Sequence, residues 1–449
     1  MFRFRMIVGV AGLALLCGCA DLGLSEKPTK VGAIVVGDEP FAARAASSIL
    51  SFGGNAADAA AAMYFALSVT YPVAAGLGGG GICLVHDPRS GRDEELDFLA
   101  RDASAGGGFA VPGNVRGFVA LQTRFGALPW QRVVSPAEQY AGAGFPISEA
   151  LAERLNAAQD VIRLDAGLAA EFMDESGRVK SAGSVVSNRE LAATLAAVRT
   201  EGADALYAGP IAARIATYST SAGGAISEAD LTSYPVTVGA PRGLAFGNQF
   251  VIAPRTATGA GAFAGALLDE VLAAHGLDPD RSAEAAVVAA TKQALARFGV
   301  ADLPKDLGAT GFAVTDASGQ AVACAVTMNG PFGSGHTVEG AGITLARAPS
   351  ASKAGLASAF LTPVISMSAD RSQLVLAGAG AGGPIGTASI IDALARIGKG
   401  QALARGAIPD ANVTLYDTVN AIVCRYGYCS ALGDAKSPGM SAAPLSPIQ

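Results

Sequence analysis

The stretch from residue 310 to residue 335, TGFAVTDASGQAVACAVTMNGPFGSG, constrains the fold of this chain most strongly. It contains two apolar, strand-like runs, at residues 312–314 and 321–328, and similar runs recur at 342–345 and 374–377. Between residues 121 and 218 the apolar residues recur with helical spacing instead. Strands that flank a helix-rich stretch predict a layered α/β domain, in which helices cover the faces of sheets.

Local signals predict further elements on both sides of this stretch. Glycines mark helix ends and turns, and alanine-rich segments favour closely packed helices. The expected elements are a strand at 32–36, helices at 41–52 and 55–67, a glycine-rich turn at 76–81 before a strand at 82–86, and a glycine-rich loop at 378–386 before a helix at 387–397.

The length and the charge of the chain limit its class. With 449 residues it can form large cores, in two or three domains or in one large layered domain. A net charge of −6, without a basic stripe, argues against nucleic acid as a partner. The three histidines, His86, His275 and His336, are too few and too scattered for a zinc site. We therefore expect no metal and no cofactor.

The N-terminus has the pattern of an export signal. Arg3 and Arg5 precede an apolar run at 6–16 that is too short to span a bilayer. Leu16-Cys17-Gly18-Cys19 follows, and it resembles a bacterial lipoprotein box in which Cys19 would be lipidated. On this interpretation residues 1–19 are the signal peptide, 20–30 are a tether, and the protein is a periplasm-facing lipoprotein of a bacterial envelope. An ordinary cleaved signal peptide and an uncleaved anchor are the alternatives.

Export implies an oxidising compartment, in which disulfides form. Cys424 and Cys429 flank Arg-Tyr-Gly-Tyr, a spacing that suits a tight disulfide loop. Cys83 and Cys324 lie in apolar, strand-like runs, which favours buried free thiols.

Seven short motifs occur in a fixed order along the chain. They are GGNAADAA at 53–60, LGGGG at 77–81, VPGNVRG at 111–117, YAGPIA at 207–212, GGAI at 223–226 with DL at 230–231 and Tyr234, VNAI at 419–422, and GDAK at 433–436. Each motif alone is weak, because glycine turns are common. In this order they resemble the gamma-glutamyltranspeptidase family over nearly all of residues 31–443.

The resemblance implies a fold and a chemistry. The fold is α/β (α+β), a four-layer αββα sandwich of the N-terminal-nucleophile hydrolase type. Residues 31–308 would correspond to a large subunit and 309–449 to a small subunit, together forming one αββα domain. Members of the family cut their own chain before a threonine, whose freed α-amine then serves as base for its hydroxyl. The implied substrates are small γ-glutamyl compounds such as glutathione, or other amides.

The catalytic motif departs from the family at its first residue. The family's opening, Thr-Thr-His-x-Ser-Val-Val-Asp, falls without a gap on residues 309–316, so Ala309 occupies the nucleophile position. Thr310 is the candidate catalytic residue one position later. Adjacent side chains of a strand point to opposite faces, so Thr310 should face away unless a bulge shifts the register.

Other catalytic positions are retained in the same alignment. Thr327 and Asn329 fall where the family has two supporting polar residues, and Gly382 and Gly383 fit the glycine pair whose N–H groups stabilise an oxyanion. A plain strand-to-helix turn is the alternative interpretation of that glycine pair.

The substrate-binding positions have changed further. Leu99 replaces the family's carboxylate-binding arginine, and Arg101 is the candidate substitute two residues later. The family's serine pair becomes Ile365 and Ser366, of which Ser366 is the candidate substrate contact. Residues 346–351 contain no carboxylate to hold an α-amine, and the family's serine-rich loop corresponds to 254–259. The segment 254–309 is also short for a pro-segment.

Two functions therefore stay open. One is a γ-glutamyl transferase or hydrolase, or an amidohydrolase, that uses Thr310. The other is an uncleaved relative that binds a ligand or partner at the membrane to which its lipid anchors it.

Overall fold

The computed structural model describes residues 29–30, 32–255, 259–277, 283–297, 299, 303–351, 355–400, 416–425, 428–432 and 440–442. Cys19, the expected signal peptide, most of the tether, residues 256–258 and the GDAK motif lie outside them. None of the helices in the described ranges is both long enough and apolar enough to cross a bilayer.

The strands of the described residues pair antiparallel with one another in every ladder. In chain order they are β1 (Thr29–Lys30), β2 (Ile34–Gly37), β3 (Gly80–Asp87), β4 (Arg92–Phe98), β5 (Arg101–Asp102), β6 (Ala110–Val111), β7 (Phe145–Pro146), β8 (Val185–Val186), β9 (Thr237–Gly239), β10 (Arg242–Phe246), β11 (Gln249–Ala253), β12 (Ala309–Thr315), β13 (Ala321–Thr327), β14 (Thr337–Val338), β15 (Ile343–Thr344), β16 (Thr362–Ser368), β17 (Leu374–Ala381), β18 (Thr418–Arg425), β19 (Tyr428–Leu432) and β20 (Met440–Ala442).

In the described residues most helices precede β9, two lie between β11 and β12, and two flank β16 and β17. They are α1 (Pro40–Ser51), α2 (Ala56–Thr70), α3 (Pro72–Ala75), α4 (Asn114–Phe125), α5 (Trp130–Ala143), α6 (Glu149–Ala157), α7 (Gln159–Leu164), α8 (Ala166–Phe172), α9 (Arg189–Glu201), α10 (Asp204–Tyr207), α11 (Gly209–Ser221), α12 (Glu228–Ser233), α13 (Gly261–Leu277), α14 (Ala283–Arg297), α15 (Leu356–Ala359) and α16 (Pro384–Gly398).

Two seven-stranded sheets pack face to face at the centre of the molecule. The β16 sheet has the order β1-β19-β18-β17-β16-β11-β10, and the β12 sheet has the order β20-β2-β12-β13-β3-β4-β9. Helices α13, α14 and α16 pack in one apolar core with the β16 sheet, and α1, α2, α4 and α5 pack in another with the β12 sheet. A third core, which includes Ala313 and Ile365, joins the two sheets. The fold is the expected four-layer αββα sandwich.

The GGNAADAA motif holds the N-terminus of α2 against the turn between β12 and β13. Asn55 caps the helix and forms a reciprocal capping box with Asp58. The N–H groups of Ala56 and Ala57 donate to side chains of the β12–β13 turn, Asp316 at 3.0 Å and Gln320 at 3.1 Å. This motif therefore has a structural role in holding the strand that begins at the nucleophile position.

The glycine-rich segment 378–386 is not a single loop, so that expectation is wrong: residues 378–381 end β17, Gly382 and Gly383 form a turn, and α16 begins at Pro384. Strand β17 runs through Gly378 and Gly380 to Ala381. A Cβ atom on Gly380 would lie 2.2 Å from the Gly386 carbonyl oxygen, and one on Gly378 would lie 2.8 Å from that of Asn420. Glycine is needed there because neighbouring backbones approach closely.

Two disulfides connect adjacent antiparallel strands. Cys424 of β18 is bonded to Cys429 of β19, which faces it across the ladder. Cys83 of β3 is bonded to Cys324 of β13, with the two Cα atoms 4.2 Å apart. The expectation of free thiols at Cys83 and Cys324 is therefore wrong, because the sheet register places them directly opposite each other.

Candidate active site

The nucleophile position lies at the first residue of β12, between the two sheets. Ala309 is almost fully buried, with 1% of its surface exposed. Its apolar neighbours form a group that we call the Ala309 cluster: Ile82, Leu99, Ala260, Ala325, Leu361, Ala379 and Ala381. Leu99, at the position of the family's carboxylate-binding arginine, belongs to this cluster. No hydroxyl, amine or charge of the cluster is available for acyl-transfer chemistry.

Thr310 points to the opposite face of the strand, as the period of two requires. Phe312 and Val314, which share its parity, pack in the core with α2, whereas Ala313 packs between the sheets. The Thr310 hydroxyl is fully buried and donates to Asp38 Oδ2 at 2.6 Å. No bulge interrupts the pairing of β12 with β13, so the register does not return Thr310 to the face of Ala309.

A buried amide also binds Asp38. The side-chain amide of Asn420, on β18 of the other sheet, donates to Asp38 Oδ1 at 2.7 Å and to the Gly311 carbonyl at 2.9 Å. Thr310 is thus one end of a hydrogen-bonded chain that joins the two sheets.

Thr327 lies beside the nucleophile position. It is the cross-strand partner of Ala309, and its hydroxyl is 2.9 Å from the Gly308 carbonyl oxygen and 3.1 Å from that of Leu307. The N–H of Met328 also donates to the Gly308 carbonyl, at 2.8 Å. The carbonyl that precedes Ala309 therefore has two hydrogen-bond donors, although Ala309 has no hydroxyl to attack it.

Asn329 follows on the same side and connects this end of the sheet to a surface loop. Its N–H donates to the Thr327 hydroxyl at 2.9 Å, and its side-chain amide donates to the Arg347 carbonyl at 2.9 Å. Its φ of 57° lies in the left-handed region, which asparagine tolerates better than most residues.

Gly382 and Gly383 form the turn between β17 and α16, directly after Ala381 of the Ala309 cluster. Gly382 has φ of 88°, and a Cβ atom there would lie 2.1 Å from the Tyr416 carbonyl oxygen, so only glycine fits. Gly383 precedes a fifteen-residue helix without a side-chain cap. The pair is placed near Ala309, at a helix N-terminus that favours negative charge.

Arg101 and Ser366, the two candidate substrate contacts, do not join this group. Arg101 lies on β5, donates to the Thr237 hydroxyl at 3.4 Å, and lies over the Tyr234 ring. Ser366 is fully buried, and its hydroxyl donates to Gln249 Oε1 at 2.5 Å. Its neighbour Ile365 packs between the sheets, so Ser366 faces the helices beyond the β16 sheet.

A buried ion pair, which sequence reasoning missed, holds the turn before Ala309. Arg154 of α6 is only 2% exposed and donates to Asp306 Oδ1 at 2.5 Å, and Asp306 also accepts the Gly308 N–H at 2.7 Å. Arg154 Nη1 lies 3.4 Å from both the Ala309 carbonyl oxygen and the Tyr71 hydroxyl.

The surroundings of Arg154 and Tyr71 shift the pKa of both side chains upward. Burial lowers the pKa of Arg154, but the charge of Asp306 and the contact with Tyr71 raise it above its ordinary value. Burial also raises the pKa of Tyr71, so its hydroxyl stays protonated. One signal in the sequence pointed to this arginine: Arg154 shares a helix face with the buried Ala150 and Leu151.

The described part of the chain includes two cavities that are large enough for a small molecule. The larger, of about 950 Å³, lies beside α8 and the β14–β15 hairpin and is lined by Asp165, Glu171, Glu190, Glu339 and Arg347 among others. The second, of about 530 Å³, is lined by His86 and Arg371 among others. Neither has Ala309 or Thr310 in its wall. Over the described residues, no three His, Cys, Asp or Glu side chains are grouped as a metal site would need.

The architecture is that of the N-terminal-nucleophile hydrolase fold. A cephalosporin acylase structure from Bacillus halodurans matches 96% of this chain and 100% of its own, with a TM-score of 0.72 and 17% identity, which supports the fold alone. The Helicobacter pylori gamma-glutamyltranspeptidase structure matches 61% of this chain and 85% of its own, with a TM-score of 0.54 and 27% identity.

Sequence comparison defines the family. The family model described as gamma-glutamyltranspeptidase matches residues 42–274. A glutathione hydrolase proenzyme from Pseudomonas aeruginosa is 30% identical over 380 residues, 70% of this chain and 67% of the relative. A glutathione hydrolase from Aspergillus flavus is 35% identical over 227 residues, 47% of this chain and only 38% of the relative. The chain belongs to the gamma-glutamyltranspeptidase family.

Proposed function

We propose that this protein is a family member that has lost N-terminal-threonine catalysis, stays in one piece, and acts by binding a ligand or a partner. The observation that carries the proposal is the Ala309 cluster. Acyl transfer in this class needs a hydroxyl and an amine on one residue between the sheets. Here that residue is a buried alanine that packs in an apolar cluster, and the hydroxyl of its cross-strand partner Thr327 is bound to the Gly308 carbonyl.

The changed substrate positions support the same proposal. Leu99 and Ile365 present apolar side chains where the family resemblance implies an arginine and a serine, and Ser366 is engaged by Gln249. Each lost charge-assisted contact removes about 1.5–3 kcal/mol of substrate binding. Two such losses would weaken the binding of an amino-acid head group by a factor of roughly 10² to 10⁴.

The loop at residues 346–351 also lacks the means to hold an α-amine. Ala346 packs against Met328 and Ala100 in a small apolar core, and Ala348 is buried. Arg347 is the charged residue of this loop, and it donates to the Gly333 carbonyl at 2.8 Å. A cationic side chain there would repel an amine.

A second candidate function is γ-glutamyl transfer or hydrolysis of small glutathione-like substrates, or amide hydrolysis, with Thr310 as nucleophile. One observation favours it: the 2.6 Å hydrogen bond from the Thr310 hydroxyl to Asp38 would give this hydroxyl a base. Against it, Thr310 is fully buried on the face away from Ala309.

The test compares three purified proteins: wild type, Thr310→Ala and Thr315→Ala. Thr315→Ala is the control, because it removes another threonine hydroxyl of the same strand, five residues or about 17 Å away. Each protein is run on a denaturing gel and incubated with a chromogenic γ-glutamyl anilide. We expect one full-length band and no turnover in all three. Turnover that Thr310→Ala loses and Thr315→Ala keeps would refute the proposal and establish Thr310 as the nucleophile.

We also propose that the protein faces the periplasm and is held at a membrane by lipid on Cys19. The support is the LCGC sequence after a short apolar run. A lipoprotein carries several acyl chains, and acyl chains anchor stably only in combination.

A further inference from the structure

A second site lies at the end of the sandwich opposite Ala309. The 530 Å³ cavity is lined by the β12–β13 turn, including Ser318, and by the β16–β17 turn, including Arg371. Strand β12 runs from Ala309 to Thr315, six residue steps or about 20 Å, before it reaches that turn. The cavity is therefore separate from the nucleophile position.

A histidine in the wall of this cavity is oriented by a buried carboxylate. His86 and Asp93 are cross-strand partners on β3 and β4, and His86 Nδ1 lies 2.7 Å from Asp93 Oδ1. Their side chains are only 12% and 11% exposed. With Nδ1–H donating to the carboxylate, Nε2 is the remaining polar atom of the ring, and it has no hydrogen-bond partner among the described residues.

An arginine from the other sheet completes the arrangement. Arg371 forms an ion pair with the second oxygen of Asp93 and lies over the Phe250 ring at 4.6 Å. Its side chain is 45% exposed and also lines the cavity. The pair connects the two sheets, so His86 and Arg371 are held on either side of one carboxylate.

The ionisable side chains that line this cavity are basic. His86 and Arg371 are its basic residues, and no acidic residue lines it in the described part of the chain, whereas four carboxylates line the larger cavity. The nearby Asp316 accepts from the N–H groups of its own turn, at 2.8 and 3.1 Å, and does not enter the wall. Leu374 and Val375 provide an apolar side.

We propose that this cavity binds a small organic anion, a carboxylate carried on an apolar body. The carboxylate would accept a hydrogen bond from Arg371 and, when both ring nitrogens of His86 carry protons, a second one from Nε2–H of His86. The body would lie against Leu374 and Val375. A volume of 530 Å³ is within the range of small-molecule sites. The cavity does not include Ala309, so this proposal can be tested independently of the proposed loss of threonine catalysis.

The probes for the test are benzoate and its neutral isostere benzamide, with binding followed by ligand-detected NMR. We compare wild type, His86→Gln, Arg371→Gln and a matched control, Arg347→Gln, which removes one arginine from the larger cavity. We expect benzoate to bind wild type and Arg347→Gln alike. We expect it to bind His86→Gln and Arg371→Gln about tenfold more weakly or worse, the effect of one charge-assisted hydrogen bond. Benzamide should bind wild type at least about tenfold more weakly than benzoate for the same reason.

A further variant guards against loss of folding, because Arg371→Gln breaks an ion pair. Ala317→Trp adds a bulky ring at the cavity wall and leaves His86, Asp93 and Arg371 unchanged, so it should abolish benzoate binding while the thermal unfolding curve stays as in wild type. Equal binding of benzamide and benzoate, equal effects of all three charge variants, unimpaired binding to Ala317→Trp, or no benzoate binding to folded wild type would each overturn the proposal.

Discussion

Replacing Arg154 with methionine should destabilise the protein strongly, because it removes one charge of a buried ion pair. Methionine keeps most of the length and the apolar contacts of arginine but removes the charge. Asp306 would then remain nearly buried, with the Gly308 N–H as its hydrogen-bond partner. The Tyr71 hydroxyl and the Ala309 carbonyl would also lose a donor at 3.4 Å each.

The magnitude follows from the burial of the pair. Arg154 is 2% exposed and Asp306 is 10% exposed, so water cannot replace the lost partner. Breaking one half of such a pair costs about 3–5 kcal/mol of unfolding free energy. Removing both charges, in Arg154→Met with Asp306→Leu, leaves no isolated charge and should cost less than either single change.

The assay is urea unfolding, followed by circular dichroism and by the fluorescence of Trp130, the single tryptophan. Coincident transitions allow a two-state treatment. Arg163→Met is the matched control, because Arg163 is 50% exposed and 3.7 Å from an exposed Asp160. It should change stability by about 0.5 kcal/mol or less. Equal small losses for Arg154→Met and Arg163→Met, or a double variant as unstable as the sum of its singles, would refute the reasoning.

Three further predictions concern separate parts of the chain. Burial raises the pKa of Glu171 from 4.5 to about 7, so the folded state holds a proton that the unfolded state releases, and stability falls as pH rises through this window. Glu171→Gln should therefore stabilise the protein at pH 8, by at most about 3 kcal/mol, and far less at pH 5; equal effects at both pH values in urea unfolding would contradict this. Peptide mapping without reduction should recover Cys83 linked to Cys324, and alkylation of both thiols in the native protein would exclude that bond. Cys19→Ser should move the protein from membranes to the soluble fraction of cells, and unchanged fractionation would exclude the lipid anchor.

Much of the fold could be predicted because its signals are local. The order of glycine motifs indicated the family, and apolar runs indicated strands near 82–86, 312–314 and 321–328, which lie within β3, β12 and β13 or overlap them. The opposite orientation of Ala309 and Thr310 also followed from sequence, because the period of a strand is two wherever no bulge intervenes. Each of these predictions rests on residues that are adjacent or close together in the sequence.

The surroundings of the candidate site could not be predicted in the same way. Seven apolar side chains from several distant segments meet at Ala309, and nothing in any one segment indicates the others. Ser366 matched a motif position, yet the local backbone turned its hydroxyl towards Gln249. A motif match identifies which position of the family a residue occupies. The direction in which its side chain points depends on the conformation of the strand.

The sequence by itself determined the family, the alternation of faces along β12 and the presence of an alanine, Ala309, where the family resemblance places the nucleophile. The tertiary structure alone decided which distant residues meet. Cys83 and Cys324 are 241 positions apart, and their bond depends on the register of β3 against β13. Arg154 reaches Asp306 across 152 positions because α6 packs against the turn before β12. Such contacts are set by how whole sheets and helices pack, and residue spacing along the chain carries no record of that packing.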